Sequence, residues 1–426
     1  MSMNRREFFV TPLAAAATFY GMNNEGHAAE RKKIAAIITE FRRMSHAEVV
    51  VGRLIKGYFH NGKRITPRID ISSMYLDQIP DNDMGRDMAA EHNIPLFKSI
   101  RNALTLGGKD LAVDGVIIIG EHGNYPFNIK GQQLYPRYYF YKQVMDVFRA
   151  SGRCVPVFSD KYLSYDWDEA KWMYDQSVAL GFPLMAGSSL PFTWREPELE
   201  LELGTPLEKV VVTHYGPKER YVCHTLDLLQ CMVERREGGE TGISAVQCLE
   251  GDSVWKWNDA HPWAERLMLE AISRTPERKA GSPRENVSNP YLFVIEYTSG
   301  LMTASYLLNG HVQSAAFAAD IRGKSEPVST HFTHQNGRPY AHFSGLVYHV
   351  EQMMLTGKEQ FPIERVLLTT GAQAALFESS YENGRTIPEG KRVVTSNLDI
   401  AYRAQKESLY NRGPLPPTEK DFGIGP

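Results

Sequence analysis

Cysteine is scarce in this chain of 426 residues, which holds four. Cys154, Cys223, Cys231 and Cys248 lack the paired spacing of a zinc site, and four thiols in so long a chain do not make a disulfide framework. An excess of either charge is missing as well. The formal net charge of −3 gives no reason to expect nucleic acid or an anionic surface as a partner. Long hydrophobic runs are also absent. Val10–Tyr20 is too short for a membrane span, so none is expected in the mature chain. No internal repeat or low-complexity tract is found.

What is present begins with an export signal. Met3-Asn4-Arg5-Arg6-Glu7-Phe8-Phe9 is a twin-arginine signature, the apolar run follows it, and Gly26-His27-Ala28 offers a small-residue cleavage site. Residues 1–29 are therefore expected to be a signal segment, and the protein to be exported to the periplasm. Its removal leaves the net charge unchanged, because Arg5 and Arg6 balance Glu7 and Glu25. The remaining chain of about 400 residues predicts two or three domains with ample material for a core.

Lys33–Thr39 reads as a buried strand, Glu40–His46 as a turn and Ala47–Tyr58 as a helix. This is the strand–turn–helix that opens a Rossmann unit, where a pyrophosphate rests on the helix N-terminus. TEFRRMSHA stands where G-x-G-x-x-G is expected and holds no glycine, so the backbone cannot approach a pyrophosphate as closely. Thr39, Arg42, Arg43 and Ser45 are the side chains left for that task. The second strand, Arg68–Tyr75, carries Ser72 and Ser73 where an acid for ribose is usual, and the nearest acid is Asp77. Met84–His92 and Ser99–Leu106 read as helices flanking a short strand at Ile94–Phe97.

Val113–Gly120 is the clearest strand and ends in Glu121-His122-Gly123-Asn124-Tyr125-Pro126. A Glu-His pair at a strand's carboxyl end suits acid–base or metal-ligand chemistry, or equally a loop cap with a surface histidine. An Asn/Gln- and Tyr-rich insertion, Phe127–Tyr139, leads to the helix Tyr141–Ala150. Cys154–Phe158 is the next buried strand, and Ser159-Asp160-Lys161 sits at its carboxyl end, the edge where open α/β sheets bind ligands. Asp166 or Asp168 caps a helix to about Leu180, with Ala170, Met173 and Val178 on its apolar side. Pro183–Gly187 is a further strand, ending in Ser188-Ser189.

Beyond it, Leu207–Tyr215 is a strand, and a helix runs from Arg220 to about Arg235. Arg220 and His224 lie four apart on one helix face. The cation disfavours protonation of His224 and suits a substrate carboxylate or hydroxyl. Strands follow at Gly242–Leu249, Tyr291–Tyr297, Leu301–Leu308 and Val312–Ile321, with helices at Asp259–Ser273, Tyr340–Thr356 and Ile363–Glu382. The Pro- and Gly-rich tail from Arg412 reads as an arm or a disordered end. The expected fold class is α/β: a Rossmann domain over 30–160, then an α+β domain with an open, mainly antiparallel sheet over 161–400, and a tail over 401–426.

This order of elements resembles the Gfo/Idh/MocA family of nicotinamide-dependent sugar and polyol oxidoreductases over roughly Lys32–Ile387. The family's last Rossmann strand ends in Glu-Lys-Pro. Here Asp160-Lys161-Tyr162 keeps the lysine, and PLMAGSSLPFTWR matches the next strand, its small-residue turn and Arg195. The family's catalytic helix carries a histidine preceded four residues earlier by an aspartate. His224 and Asp227 match that neighbourhood, and Arg220 takes the earlier aspartate's place. Glu121 and His122 stand where the family has a Thr-Pro-Asn-like turn beside the nicotinamide. HFSGLVYHVEQMMLTGKEQFPIERVLLTTGAQAALFESSYENGRTI resembles its C-terminal helices and the Thr-Gly-Lys-Glu turn between them.

The resemblance implies NAD or NADP, held by Thr39, Arg42, Arg43, Ser45, Ser73, Glu121, His122 and Lys161. It implies that Lys161 polarises a carbohydrate or polyol hydroxyl, that His224 exchanges its proton, and that Asp160 and Asp227 orient them. Tyr125, Arg195 and Arg220 would contact the sugar, and copies of the chain would associate through the second-domain sheet. Two other readings stay open. In one, Glu121, His122, Asp160 and His224 hold a divalent metal for sugar lyase or hydrolase chemistry. In the other, the protein is a non-catalytic periplasmic carbohydrate-binding module.

Overall fold

Unbroken runs of Ile, Val and Ala form strands covered on both faces, and here they build a parallel sheet. Its strands are β1 (Lys32–Ile38), β2 (Ile69–Leu76), β3 (Leu96–Phe97), β4 (Gly115–Ile119), β5 (Val157–Asp160) and β6 (Leu184–Gly187). The computed structural model describes residues 31–335 and 337–418, so the signal segment expected over 1–29 lies outside the described residues. The order is β3-β2-β1-β4-β5-β6, and every neighbouring pair is parallel. The winding reverses between β1 and β4, which opens a crevice at their carboxyl ends.

Right-handed crossovers place α1 (Gly52–Lys56) and α2 (Gly85–Glu91) on one face. By the same rule α3 (Ile100–Thr105), α4 (Arg137–Ser151) and α5 (Trp167–Leu180) lie on the other.

Local details differ from expectation for identifiable reasons. The helix after β1 starts as a π-turn, Ala47–Val51, and stops at Lys56 because Gly57 adopts φ 91°. Tyr58–His60 then pairs with Lys63–Ile65 as a hairpin. In α5, Asp166 caps the amide of Glu169 at 3.1 Å. Ala170 and Met173 are buried, whereas Val178 is 63% exposed, one position off the stripe that Ser177 completes. β5 runs on to Asp160, so Ser159 and Asp160 are strand residues and Lys161 is the first residue beyond.

The second sheet contains β7 (Arg195–Glu196), β8 (Leu207–His214), β9 (Ile243–Glu250), β10 (Tyr291–Tyr297), β11 (Met302–Leu307), β12 (Ala315–Ile321), β13 (Val328–Phe332) and β14 (Val393–Val394). Its order is β14-β9-β10-β11-β8-β12-β13-β7, antiparallel except where β8 meets β11. α6 (Lys218–Val233) packs on one face through Leu226, Leu229 and Val233. α7 (Asp252–Ala260) and α8 (Pro262–Ser273) pack on the other, with Leu267, Met268 and Ile272 against Val211, Leu292 and Val294. The expected single helix over Asp259–Ser273 is thus a pair broken at His261-Pro262. Both faces of the sheet thus carry the chain's own helices.

α9 (Ser344–Thr356) and α10 (Glu364–Ser379) return to the parallel sheet. Val350, Met353 and Val366 join its core, while Leu368, Ala372 and Leu376 on α10 belong to the core of the second sheet. The buried pair Arg365–Glu234, 2.5 Å apart, ties α10 to α6. The described residues from Lys32 onward accordingly form one compact unit. The tail is an arm along it: Trp194 Nε1 donates to the carbonyl of Gly413, and Gln335 Nε2 to that of Pro416.

Candidate functional site

Three turns at the carboxyl edge of the parallel sheet converge, after β1, β4 and β5. Each contains a non-glycine residue in the left-handed region: Met44 (φ 61°), His122 (φ 70°) and Lys161 (φ 61°). Such conformations persist only where surrounding contacts impose them, and they collect at functional sites. Opposite these turns stand Arg220, Tyr221 and His224 of α6, His214 at the end of β8, and the segment that leads into α9. Together they enclose a cavity of about 300 Å³, at the small end of the range for small-molecule sites.

Lys161 is 4% exposed, and its Nζ lies 2.8 Å from Glu121 Oε1. The other Glu121 oxygen accepts from Arg137 Nη2 at 2.5 Å. Burial opposes charge on both partners. For Glu121, the Lys161 and Arg137 cations outweigh burial and hold the carboxyl well below its usual range. For Lys161, Glu121 outweighs burial and pushes the ammonium above its usual value. Lys161 is therefore a fixed cation at the cavity wall and not a titrating base. Gly187 pairs with it across β6. Its φ of 123°, with Asp227 Oδ2 and Val366 each 3.2 Å from where a Cβ would stand, leaves no room for a side chain.

Six of the 13 histidines line the cavity: His46, His122, His214, His224, His334 and His342. Burial lowers His214, His224 and His342 well below the ordinary imidazole value. Burial likewise takes His334 to about 4 and His122 to about 2, so all five are neutral at pH 7. A neighbour assigns the tautomer of His122. Arg42 Nη2, 3.3 Å from His122 Nδ1, can only donate, so the His122 proton is on Nε2. Ser188 Oγ lies 2.6 Å from His224 Nδ1 and accepts from the amide of Leu190, so it keeps a hydroxyl proton and a second lone pair to offer the imidazole.

The residues expected at the site divide sharply. Lys161, His224, Glu121, His122 and Arg220 line the cavity. Asp227 sits behind it, accepting from the Ser188 amide at 2.6 Å and from Thr369 Oγ1 at 2.8 Å, and so holds the Ser188 turn against His224. Asp160 is buried with Oδ2 2.7 Å from His46 Nδ1.

The others lie outside the cavity lining. Thr39 donates its hydroxyl to the Ile119 and Glu121 carbonyls, Ser45 to that of Arg42, and Ser73 to that of Ala103, and none of the three lines the cavity. Arg42 is taken by Glu40 and His122, while Arg43 is exposed outside the cavity lining. Tyr125 donates to Asp77 at 2.7 Å, away from the lining. Arg195 is buried against the Leu199 carbonyl and the Tyr410 ring, where it is structural.

Sequence reasoning missed His46, His214, His334 and His342. They lie on separate turns and strands, and no spacing relation links them. Asp77 was named as the nearest acid but given no role. It follows β2 directly, the place at which an acid meets a ribose diol, and its oxygens accept from Tyr75 and Tyr125 at 2.7 Å each.

The metal set of Glu121, His122, Asp160 and His224 does not assemble. Glu121 is saturated by two cations, and His122 turns a proton-bearing nitrogen to the cavity. Among the described residues no three His, Cys, Asp or Glu side chains are placed to hold a metal ion. A nicotinamide dinucleotide fits the site in part. His122 Nε2 is a buried donor without a partner, suited to a carboxamide oxygen, and Asp77 is suited to a ribose. The phosphate turn departs, because Glu48 Oε2 accepts the Met44 amide at 2.5 Å, which leaves Arg43 as the cation of that turn.

No protein-family model and no curated protein sequence matches the chain. Solved structures do. GenD2 from gentamicin A biosynthesis, determined with NAD, is 15% identical over 88% of this chain and 99% of its own, with a TM-score of 0.52. Myo-inositol dehydrogenase from Lactobacillus casei, determined with NAD(H) and myo-inositol, is 11% identical over 85% and 96%, with a TM-score of 0.53. The chain thus shares its overall fold with these two proteins, a parallel Rossmann-type sheet followed by a largely antiparallel one.

Proposed function

We propose that the protein is an NAD(P)-dependent oxidoreductase acting on a hydroxyl or ketone of a carbohydrate or polyol. The observation that carries this is Lys161: a buried, permanent cation at the crevice of a Rossmann sheet, facing neutral imidazoles across a small cavity. Its fold likenesses include one enzyme solved with NAD and another solved with NAD(H) and myo-inositol.

When bound, the dinucleotide accepts or supplies the hydride. His122 would meet its nicotinamide end, Asp77 its ribose and Arg43 a phosphate. One of the three Lys161 protons is spent on Glu121, and the others are free to stabilise charge developing on the substrate oxygen. His224 hydrogen-bonds to that oxygen. Tyr215, Tyr221, Tyr340 and Phe343 wall the cavity with rings and reduce its water.

Titration of the full chain with NADH and NADPH, followed by fluorescence, tests the reading. One of the two is expected to bind, and Asp77→Asn to weaken binding by ~1–3 kcal/mol, the value of a charge-assisted hydrogen bond. Binding of neither nucleotide would sink the proposal.

We also propose export to the periplasm by the twin-arginine route. The support is the Arg5-Arg6 signature, the apolar run and the cleavage site. Replacing both arginines with lysine should leave full-length precursor in the cytoplasm, and normal delivery of that variant would refute the signal.

A further inference from the structure

The cavity contains a carboxylate–imidazole pair that neither the fold likeness nor the expected catalytic helix supplies. Asp160, 1% exposed, has no aligned hydrogen-bond partner for either oxygen. Its Oδ2 nevertheless lies 2.7 Å from His46 Nδ1. The approach is off the line of a linear hydrogen bond. Catalytic contacts are commonly misaligned without substrate and tighten when it binds. A carboxylate at that nitrogen draws the His46 proton to Nδ1 and leaves Nε2 as a lone-pair acceptor.

His122, ring centroid 5.4 Å from that of His46, has the opposite arrangement: Arg42 donates to its Nδ1, so its proton is on Nε2. His224, at 6.4 Å, has a hydroxyl, Ser188 Oγ, and not a carboxylate at its Nδ1. Of the carboxylates on α6, Glu219 accepts from the Gln133 amide at 3.2 Å. Arg220 stands one turn before His224, and Asp227 is occupied by Ser188 and Thr369. Of these three histidines, only His46 has a carboxylate at its Nδ1. It lines the cavity and is held edge-on by the Phe343 ring, with centroids 5.3 Å apart.

We propose that His46 is the acid–base residue of this site and that Asp160 is the positioning residue that fixes its tautomer. The inference rests on the oxidoreductase reading above. In the oxidative direction the alcohol carbon loses a hydride to oxidised nicotinamide dinucleotide. The C–O bond becomes C=O, and the hydroxyl proton passes to His46 Nε2. Reduction runs through the same steps in reverse, with His46 returning the proton. Lys161 and His224 stabilise the oxygen throughout.

Two measurements on the full chain test the inference. In the first, selective ¹⁵N-histidine NMR should show the His46 proton on Nδ1 in the wild type and its loss from that position in Asp160→Asn. In the second, turnover is followed as nucleotide reduction with a panel of polyols and monosaccharides that includes myo-inositol. His46→Gln should lose roughly 10²–10⁴-fold, the range for a general base, while nucleotide affinity is kept. The acidic limb of the pH–rate profile should disappear in His46→Gln and shift in Asp160→Asn. The ionisable groups facing His46 are Asp160, His122, His224, His342 and Glu121. Wild-type turnover in His46→Gln, or a wild-type His46 proton on Nε2, would overturn the proposal. A wild type that reduces no nucleotide would contradict the function proposed above. The tautomer would then decide: Nδ1–H that depends on Asp160 keeps the pair, and Nε2–H removes it.

Discussion

Asp227 shows how a residue near the chemistry can be read through stability. Burial raises its pKa from 3.8 to about 6, although the Ser188 amide and the Thr369 hydroxyl pull it back. Between those values the folded state binds more protons than the unfolded state, so this group makes stability fall as pH rises. The accumulated loss is about 3 kcal/mol. Asp227→Asn should abolish that slope, and urea unfolding of both proteins at about pH 4.5 and pH 6.5 measures it. An unchanged slope would contradict the assignment.

At this scale Lys161 and His224 were legible because each stands at a recognisable place, one after a strand and one in a helix. His46 was not. It sits in a turn without glycine, and its partner Asp160 is more than a hundred residues away, on the last strand residue before Lys161. Thr39, Ser45 and Ser73 misled for a related reason. A hydroxyl beside a strand end looks available for a ligand until the carbonyl it satisfies is known.

Among elements, α10 is the clearest case of a sequence choice set by packing. Gly371 has ordinary helical φ, but a Cβ there would lie 2.3 Å from Leu398 Cδ2 and 2.7 Å from Trp167 Cζ3. The helix can bridge the two cores only because that position is bare. Gly371→Ala should therefore destabilise the protein by ~1–3 kcal/mol despite its better helix propensity, as overpacking does. Thermal unfolding checks this, and an unchanged or raised midpoint would contradict it. β1, β4 and β6 were readable from their apolar runs, since burial on both faces leaves little polar residue to confuse the pattern. β13, with Ser329, Thr330 and His331 in its five residues, was missed for the converse reason. The π-turn after β1 and the Tyr58–Ile65 hairpin depend on tertiary contact and on the positive φ of Gly57, which periodicity does not report.

For the whole molecule, the order β3-β2-β1-β4-β5-β6 places the crevice, and the second sheet with α6 closes it. The sequence reading found both sheets and the turns that face each other. It did not anticipate that α7 and α8 cover the second sheet's other face, because helices on an antiparallel sheet can lie on either side without changing their own pattern. Nor did it foresee that α9 and α10 return to the first core and make one unit of the two lobes. The central claim is that this unit oxidises a polyol's alcohol carbon, or reduces the matching ketone, while Lys161 holds the oxygen. Comparing nucleotide-dependent turnover of the wild type and Lys161→Met, with nucleotide affinity measured in parallel, tests it most directly. The account predicts a loss of roughly 10²–10³-fold at undiminished affinity, as for removal of one preorganised stabilising group. Full turnover in Lys161→Met would contradict it.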